Sequence, residues 1–447
     1  MPKITKVIKR NGTTVDFTSE RIANAIYRAA VAVGGRDRDT AIELTQKVIE
    51  ILETSTPAGH TPTVEEIQDI VEKVLIENGH ATVAKAYILY RAESARQREQ
   101  HDTRYTRSVS RIPWAKMWYS LDWAVTHGVN TIEGLNERIA RGEFPSLVQE
   151  AEAAYNIDIK NVVDQVAKRR DELKLVIVSG PSSSGKTTTT TKVAERLTDM
   201  GMNLVTLNVD NYFFDLEMHP KDEFGDYDFE TPQALEIDLI DEHIRELIAG
   251  KKVAIPFYNF KTGNREQSRT TMQIGPKDVI LIDSLHGLYP AMTASIPDDQ
   301  KFKLYLEPLL QMKDKHGKYV RWTDLRLIRR MLRDAVHRAY DPRRTLTHWH
   351  YVRASEMRHI LPNNFLADYI VNTGLPYELP IYAHRMLDNF TEWVEDYRDD
   401  PLREDAYIRA KRVHELLTQV TPVADDSPVP ADSILREFIG GSCYEAA

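Results

Sequence analysis

The stretch VSGPSSSGKTTTTT, residues 178–191, connects an apolar segment, KLVIVS, to a segment of helical character. Gly180, Gly185, Lys186 and Thr187 have the spacing G-x-x-x-x-G-K-[ST] of a phosphate-binding loop between a strand and a helix. The glycines let successive backbone N–H groups point into one concavity, and the helix N-terminus adds positive potential there. The stretch therefore predicts a nucleotide site on an α/β sheet.

The same loop predicts roles for single side chains. Lys186 is expected to reach the β- and γ-phosphates, the Thr187 hydroxyl to hold Mg²⁺, and Thr188 to contact the α-phosphate. ATP is therefore the expected cofactor and Mg²⁺ the expected metal. The residues expected to contact the cofactor are Gly180, Ser182, Ser183, Ser184, Gly185, Lys186, Thr187 and Thr188.

Strand-like segments alternate with helical segments from Leu173 onwards. KLVIVS is followed by NLVTLNVD, KDVILIDS, KFKLYLE and ADYIVNT. Continuous apolar strands separated by helices are typical of a parallel sheet that is covered on both faces. The predicted fold class is α/β, a P-loop NTPase-type parallel sheet with helices on both faces, in a domain over residues 173–380.

Two acidic residues follow strands of this sheet. Asp210 ends NLVTLNVD, at the edge where open α/β sheets place their chemistry, and can take the proton of an acceptor hydroxyl. Asp283 follows the apolar residues of VILIDS and is expected to anchor the metal together with Thr187. A base beside an acceptor hydroxyl favours a small-molecule kinase over an NTPase that uses water, so Asp210 and Lys186 are candidate catalytic residues.

Arginines are dense in the segment DLRLIRRMLRDAVHRAY. Arg326, Arg330 and Arg333 fall at i, i+4 and i+7 on one helix face, with Arg329 and Arg338 beside them. Because guanidinium groups suit phosphate oxygens, the segment is expected to be a lid that clamps phosphates. Arg333 is taken as its catalytic member.

Residues 1–100 form a separate predicted domain. ITKVIKRNGTTVDFT reads as two short strands around an Asn-Gly turn, and four helical segments follow, one of them with a capping box at Thr63. Residues 101–172 are expected to be a helical connector. Residues 381–447 are expected to be a helical C-terminal extension with the Pro-rich linker TPVADDSPVPADS.

Composition narrows the classes of function. The chain has 447 residues, 42% hydrophobic and 28% charged, with a net charge of −9 and one cysteine. An acidic chain is not expected to bind nucleic acid generally, and a lone cysteine builds no internal disulfide framework. The first residues contain no apolar run and no stretch is long enough to span a bilayer. A cytoplasmic protein without a membrane partner is expected, as a homo-oligomer.

Five motifs, in order, resemble the uridine kinase and phosphoribulokinase superfamily, and especially bacterial uridine-kinase-like proteins with an extra N-terminal domain. They are GPSSSGKTT, DNYFFD, GDYDFETPQALEIDLI, IPFYNFKTGNRE and RLIRRMLRD. The resemblance implies a catalytic base, an aromatic beside the acceptor, a ligand of ribose hydroxyls, two nucleoside-pocket residues and a lid arginine. These are Asp210, Tyr212, Glu230, Tyr258 with Arg265, and Arg333, respectively.

Two positions depart from that family. Asp283-Ser284 stands where uridine kinases usually have Glu-Gly, and Gly263 stands about where a base-reading histidine is expected. The shorter acid should still reach the metal. Both departures bear on the acceptor more than on the kinase chemistry.

The N-terminal domain resembles the ATP-cone, the nucleotide-sensing domain of ribonucleotide reductases. VIKRNGTTVDFTSERIANAI, VEEIQDIVE and VAKAYILYR carry the likeness, over nearly all of residues 3–95. Three cations near one hairpin, Lys9, Arg10 and Arg21, also suit a triphosphate. The resemblance implies ATP and dATP as effectors, and an allosteric nucleotide site lined by Lys9, Arg10, Arg21, Ile22 and Gln68.

Three functions stay open at this point. The first is an ATP-dependent kinase for a nucleoside, uridine- or cytidine-like, or another polyol, regulated through an ATP-cone. The second is a kinase for a phosphorylated acid or sugar, such as 2-phosphoglycerate or a ribulose phosphate. The third is a catalytically inactive nucleotide sensor, against which Lys186, Thr187, Asp210 and Asp283 all count. The acidic GDYDFE around Glu230 favours a neutral acceptor.

Overall fold

The computed structural model describes residues 4–8, 14–35, 37–57, 60–89, 91, 113–219, 230–338 and 341–444, with the side chains of 267–269 and 337–338 left aside. The chain divides into two compact units. One is Met1–Ser110 with Asp399–Glu404, and the other is Arg111–Arg398 with Asp405–Ala447.

A short hairpin and a set of helices build the first unit. Its elements are β1 (Lys6–Ile8), β2 (Thr14–Asp16), α1 (Ser19–Ala32), α2 (Arg38–Ser55), α3 (Val64–Glu77) and α4 (residues 81–89). The predicted capping box is confirmed, because Thr63 and Glu66 bond reciprocally at the start of α3. The Asn-Gly turn of the hairpin lies outside the described residues.

The first unit has its own core. Ile26, Val48 and Val71 are almost fully buried, each on a different one of the first three helices. The Ile8 N–H donates to Pro62 O at 2.9 Å, so β1 lies against the loop that leads into α3. Hydrophobic residues at helical spacing therefore join the hairpin and helices into one small folded body.

Three helices precede the sheet in the second unit: α5 (Trp114–Thr126), α6 (Ile132–Ala140) and α7 (Phe144–Lys168). Buried residues recur along α7 every three to four positions, including Leu147, Tyr155, Ile159 and Val166. They join the core that contains Val176 of the first strand. The predicted connector is helical where it is described, and it packs directly on the sheet.

The strands of the second unit are β3 (Leu175–Ser179), β4 (Leu204–Leu207), β5 (Val253–Asn259), β6 (Asn264–Met272), β7 (Val279–Ser284), β8 (Lys301–Glu307) and β9 (Tyr369–Asn372). Five of them form a parallel sheet in the order β4-β7-β3-β8-β9. β5 and β6 form a separate antiparallel hairpin. The predicted parallel sheet is confirmed.

Helices cover both faces of the sheet. They are α8 (Lys186–Asp199), α9 (Ile237–Ile248), α10 (Trp322–Arg338), α11 (Pro342–Ser355), α12 (Glu378–Tyr397), α13 (Glu404–Leu417) and α14 (Arg436–Ile439). Along the central strand, Val176 and Val178 face one hydrophobic cluster, and Leu175 and Ile177 face the other. This two-sided burial explains why the strand is apolar throughout.

The C-terminal segment docks on the second unit. Ile434, Leu435 and Phe438 are fully buried in its core. The side chain of Ser433 hydrogen-bonds the Tyr377 hydroxyl at 2.9 Å. The stretch expected to be an extended linker therefore ends in a packed segment. Among the described helices, none has an apolar stretch long enough to cross a bilayer.

Two arginines of α10 lie in the centre of the second unit. Arg326 pairs with Glu356 and Glu307, and Arg329 pairs with Glu378 and donates to Thr373 O at 2.6 Å. Burial opposes their charge, yet the facing carboxylates keep the pKa of both guanidinium groups above the usual value. They remain charged because their partners are buried with them.

We predict that Arg329→Leu lowers the free energy of unfolding by about 3–5 kcal/mol, because it leaves the fully buried Glu378 carboxylate unpaired. Urea titration measures the loss. Arg321→Leu, at an exposed position just before α10, is the matched control and should stay within about 0.5 kcal/mol. A loss below about 1 kcal/mol for Arg329→Leu would show that the pair contributes little.

Candidate active site

The glycine loop turns sharply between β3 and α8. A Cβ atom added at Gly180 would lie 2.6 Å from Leu306 O and 2.8 Å from Ser184 Oγ, so the backbone passes too close to β8 for a side chain. Gly185 precedes α8 with φ +87°, in the left-handed region that favours glycine. Both glycines of the motif are therefore required by the shape of the loop.

The two buried arginines of α10 also contact this loop, on the side that faces the protein interior. Arg326 Nη1 donates to Ser182 O at 3.0 Å, and Arg329 Nη1 donates to Ser183 O at 3.4 Å. The expectation that all arginines of α10 form a phosphate lid is therefore wrong for these two. Their side chains are enclosed with Glu356 and Glu378, and they contact the loop from behind.

Lys186 is the first residue of α8, and its Nζ lies 3.5 Å from Pro181 O. Burial lowers the pKa of its ammonium group, and the nearby carboxylates of Asp283 and Glu437 act in the opposite direction. An ammonium group folded back over the loop carbonyl is positioned to meet an anion that enters the loop.

Two carboxylates meet near this lysine. Asp283 is the last residue but one of β7, the strand beside β3, and Asp210 follows β4, the next strand out. Burial raises the pKa of Asp283 to about 6, against the opposing charge of Lys186, and Glu437 and Asp210 raise it further. Asp210 is exposed, and its backbone N–H is held by Asn208 Oδ1 at 3.0 Å.

The residues present suit a divalent cation at this edge. Asp283 is a half-buried carboxylate whose pKa is raised mainly by burial and further by the charges of Glu437 and Asp210, so a cation beside it would favour its ionised form. Hydroxyl and carboxylate oxygens are the ligands that Mg²⁺ prefers, and Thr187 is the second residue of the adjacent helix α8. Thr187 and Asp283 are therefore the residues that fit a metal there.

Two further α10 arginines lie on the loop side of the helix. Arg330 Nη1 lies 3.2 Å from Ser182 Oγ and 3.1 Å from Glu230 Oε1. Arg333 is partly buried, and its Nε lies 3.4 Å from Asp334 Oδ1. Burial is the main cause of the lowered pKa of Lys186, and the charge of Arg333 lowers that pKa further. Arg330 therefore contacts the phosphate loop directly, and Arg333 lies near enough to Lys186 to act on its charge.

Two residues expected in the acceptor pocket have structural roles. Tyr212 is fully buried, and its hydroxyl contacts His243 Nδ1 at 3.0 Å. The guanidinium of Arg265 donates to Tyr212 O at 2.9 Å and to Phe213 O at 3.0 Å, and it pairs with Glu236. The structure therefore places Tyr212 in the core, and it uses Arg265 to hold the DNYFFD segment.

An aromatic cluster lies beside that segment. The ring of Phe213 lies 5.4 Å from Tyr258 and 5.9 Å from Phe260, measured between centroids. His219 joins them at 5.6 Å from Phe213. Tyr258 was predicted as a pocket residue. The repeated aromatics of DNYFFD and FYNF were the signal that could have indicated Phe213 and Phe260.

Gly263, which stands about where a base-reading histidine is expected, packs closely against Leu216. Gly263 has φ +72°, and a Cβ there would lie 3.0 Å from Leu216 Cβ. Another histidine, His286, follows β7 and stacks edge-to-face on His359 with centroids 6.3 Å apart. Burial lowers the pKa of His286 to about 3, so its ring is neutral at physiological pH. Sequence reasoning missed it.

In the first unit, three of the predicted effector residues are described. Arg21 and Ile22 lie in the first turn of α1, Arg21 exposed and Ile22 buried, and Gln68 lies in α3. Lys9 and Arg10 lie outside the described residues. The end of β1 bridges to Thr63, the residue before α3, so the described part of the hairpin lies against the start of the helix that contains Gln68.

Family models match both parts of the chain. Residues 5–96 match the ATP cone domain, and residues 175–377 match the phosphoribulokinase / uridine kinase family. The second match begins at β3 and ends just before α12, so it contains the glycine loop, both strand-end acids and the arginines of α10.

Curated relatives agree with the second match. The chain is 28% identical over 206 residues to uridine kinase of Bacillus pumilus, which covers 46% of this chain and 89% of the relative. It is 27% identical over 201 residues to uridine-cytidine kinase B of Dictyostelium discoideum, covering 45% and 74%. A solved structure described as a possible uridine kinase, from Bacillus stearothermophilus, is 17% identical to this chain. The match covers 33% of this chain and 79% of that structure, with a TM-score of 0.27.

The sheet, the glycine loop and these matches define an ATP-dependent small-molecule kinase of the P-loop class. Within that class, residues 175–377 belong to the phosphoribulokinase / uridine kinase family, and an ATP cone domain precedes them in the chain. The N-terminal resemblance and the kinase resemblance are both confirmed.

We predict that Gly180→Ala weakens ATP binding about 10- to 100-fold, because the new Cβ would force the loop away from Leu306 O. Calorimetric titration with ATP measures the change. Gly201→Ala is the control, since φ there is +80° and no atom lies within 4 Å of the new Cβ. That control should cost about 1 kcal/mol in stability and leave ATP affinity unchanged. Equal affinities for both variants would contradict the tight loop.

Proposed function

We propose that this kinase transfers the γ-phosphoryl group of ATP to a hydroxyl of a nucleoside. The observation that carries the proposal is that Asp210 and Asp283 lie near Lys186 at the carboxyl edge of the sheet. A third acid, Glu230, also acts on the charge of Lys186 and is hydrogen-bonded by Arg330. A phosphate cradle, a metal ligand and an acid that can act as a base, brought together at one edge of the sheet, are what such a transfer requires.

The loop and its lysine bind the nucleotide in this proposal. Backbone N–H groups from Ser183 to Thr188 face the phosphates, and Lys186 contacts the transferring group. Thr187 and Asp283 would hold Mg²⁺, which neutralises charge on the β- and γ-phosphates when it is bound. Arg333 lies close enough to Lys186 to affect its pKa and would contact the same group.

Asp210 is the proposed general base. It is exposed at the end of β4, and its charge acts on the pKa of Asp283, so it lies at the same edge. An exposed carboxylate is ionised at neutral pH and can accept the hydroxyl proton as the phosphoryl group arrives. It does not require the metal to do so.

The acceptor pocket favours a flat, polyhydroxylated molecule. Phe260 is exposed and Phe213 is half-buried, so they supply aromatic surface against which a base could pack, and the buried Tyr258 ring supports both as a tilted and edge-to-face partner. Glu230 can accept hydrogen bonds from ribose hydroxyls. The two curated relatives described above are named uridine kinase and uridine-cytidine kinase B, which supports the same acceptor class.

One contact favours a second candidate acceptor. Arg330 lies 3.1 Å from Glu230, so the acid is already neutralised and a cation stands at the pocket. The phosphate group of a phosphorylated acid or sugar could pair with the Arg330 guanidinium in place of Glu230. The closed packing at Gly263, where a base-reading histidine is absent, points the same way.

ADP release measured over nucleosides, sugars, polyols and phosphorylated acids decides between the two acceptors. We predict turnover with uridine or cytidine, and we predict that Asp210→Asn lowers kcat about 10²–10⁴-fold with ATP affinity nearly unchanged. The matched control is Asp215→Asn, an acid of the same segment that holds the Arg265 backbone N–H at 2.6 Å. Unchanged kcat in Asp210→Asn would remove that residue from the mechanism.

We also propose that the ATP cone binds ATP or dATP and regulates the kinase. The wild-type chain should then bind nucleotide at two sites, and Lys186→Ala should keep one of them. Adding Lys9→Ala and Arg10→Ala should abolish the second, whereas Lys6→Ala, an exposed lysine of β1, should keep it. Calorimetry counts the sites, and the coupling should change affinity about 5- to 150-fold. One site per chain, lost with Lys186, would refute regulation.

A further inference from the structure

A carboxylate from the C-terminal segment lies on the phosphate loop. Glu437 Oε2 accepts a hydrogen bond from the Thr188 backbone N–H at 3.2 Å and another from the Thr188 hydroxyl at 2.8 Å. Thr188 is the third residue of α8, where the backbone N–H has no partner within the helix. The two residues are 249 positions apart in sequence, so the contact exists only because the chain folds back on itself.

The contacted atoms are those that the phosphate-loop motif assigns to the α-phosphate. Glu437 therefore presents an anionic oxygen where a nucleotide would present one. Its charge reaches further into the site as well. Burial and Asp283 have the largest effects on the pKa of Lys186, and Glu437 comes third and raises it. Burial and Lys186 have the largest effects on the pKa of Asp283, and Glu437 again comes third and raises it.

The backbone around Glu437 is firmly anchored. Lys192 Nζ of α8 lies 2.8 Å from Asp432 Oδ2, with the lysine side chain only 3% exposed. Arg436 Nη2 donates to Asp426 O at 2.7 Å and to Val429 O at 2.8 Å. These bonds hold the segment against α8, so the side chain of Glu437 can leave Thr188 by rotating, with its backbone in place.

The same segment shapes the start of α8. A Cβ at Gly185 would lie 2.7 Å from Ile434 Cγ2, so the tail closes directly over the last residue of the loop. The neighbouring Phe438 ring lies 5.2 Å from the Arg329 guanidinium, behind the loop. The tail therefore contacts the loop on the side of the α-phosphate position and also supports the arginine that holds it.

We propose that Glu437 is a built-in competitor for the nucleotide: it occupies the α-phosphate position in the empty enzyme and must rotate away before ATP binds. The inference rests on the proposed ATP site and adds a control of its affinity. Two like-charged groups cannot share one N–H and one hydroxyl, so every nucleotide that binds must replace both hydrogen bonds of Glu437.

The test is ATP and ADP affinity, measured by calorimetry with Mg²⁺, in the full chain. Glu437→Gln keeps the size of the side chain and removes its charge, and Glu437→Ala removes both. We expect both variants to bind ATP about tenfold more tightly or better, with KM for ATP lowered and KM for the acceptor unchanged. Asp425→Asn removes one charge from an exposed position of the same segment, bonded to the Ser427 N–H, and should bind as the wild type does.

Unchanged or weaker ATP binding in Glu437→Gln, with an unfolding midpoint equal to the wild type, would overturn the competition. If Glu437→Ala unfolds, the Gln variant decides, because it retains the volume of the side chain. Lys186→Ala separates the two levels of the argument. If ATP binding depends on Lys186 but not on Glu437, only this inference fails, whereas absence of any Lys186-dependent binding removes the ATP site and the competition together.

Discussion

Two buried guanidinium groups determine how the phosphate loop is presented. Arg326 and Arg329 draw the carbonyls of Ser182 and Ser183 towards the interior. In a trans peptide the N–H and C=O groups point in opposite directions, so a carbonyl held from behind turns the neighbouring N–H groups forward. Burying two charges is costly unless each is paired, which accounts for the carboxylates packed around them. The anion site in front therefore depends on ion pairs behind it.

Local signals predicted the elements but not these pairs. The glycine loop, the parallel strands and the acids at strand ends follow from short motifs and from continuous apolar segments, which are local in sequence. The arginine spacing on α10 was also read correctly as one cluster. The predicted role, a lid that clamps phosphates, was wrong for Arg326 and Arg329, which pair with buried carboxylates. Those partners, Glu356 and Glu378, lie 30 and 49 residues further along the chain. No periodicity indicates which face of a helix meets a distant carboxylate.

The acceptor side shows the limit of carrying residues over by resemblance. Motif position transfers well, but side-chain direction depends on the neighbours of each residue. Tyr212 turns inward to His243, whereas the next residue, Phe213, turns to the aromatic cluster. Arg265 is fixed by carbonyls of the same segment, so it stabilises the pocket wall. The sequence motifs therefore placed these residues in one region of the fold, whereas the direction of each side chain depends on neighbours that are distant in sequence.

An empty phosphate loop concentrates positive potential, and the chain places its own acids around it. Asp283, Asp210 and Glu437 all act electrostatically within reach of Lys186 or of one another. Burial alone would lower the pKa of Lys186 and favour its neutral form, so Asp283 and Glu437 help to keep the ammonium charged before a nucleotide arrives. In the function and the competition proposed above, each acid has a different relation to the nucleotide: Asp283 would share a cation with it, Asp210 would face the acceptor, and Glu437 would share its binding atoms. Charge balance in the empty site and affinity in the filled site are thus set by the same few side chains.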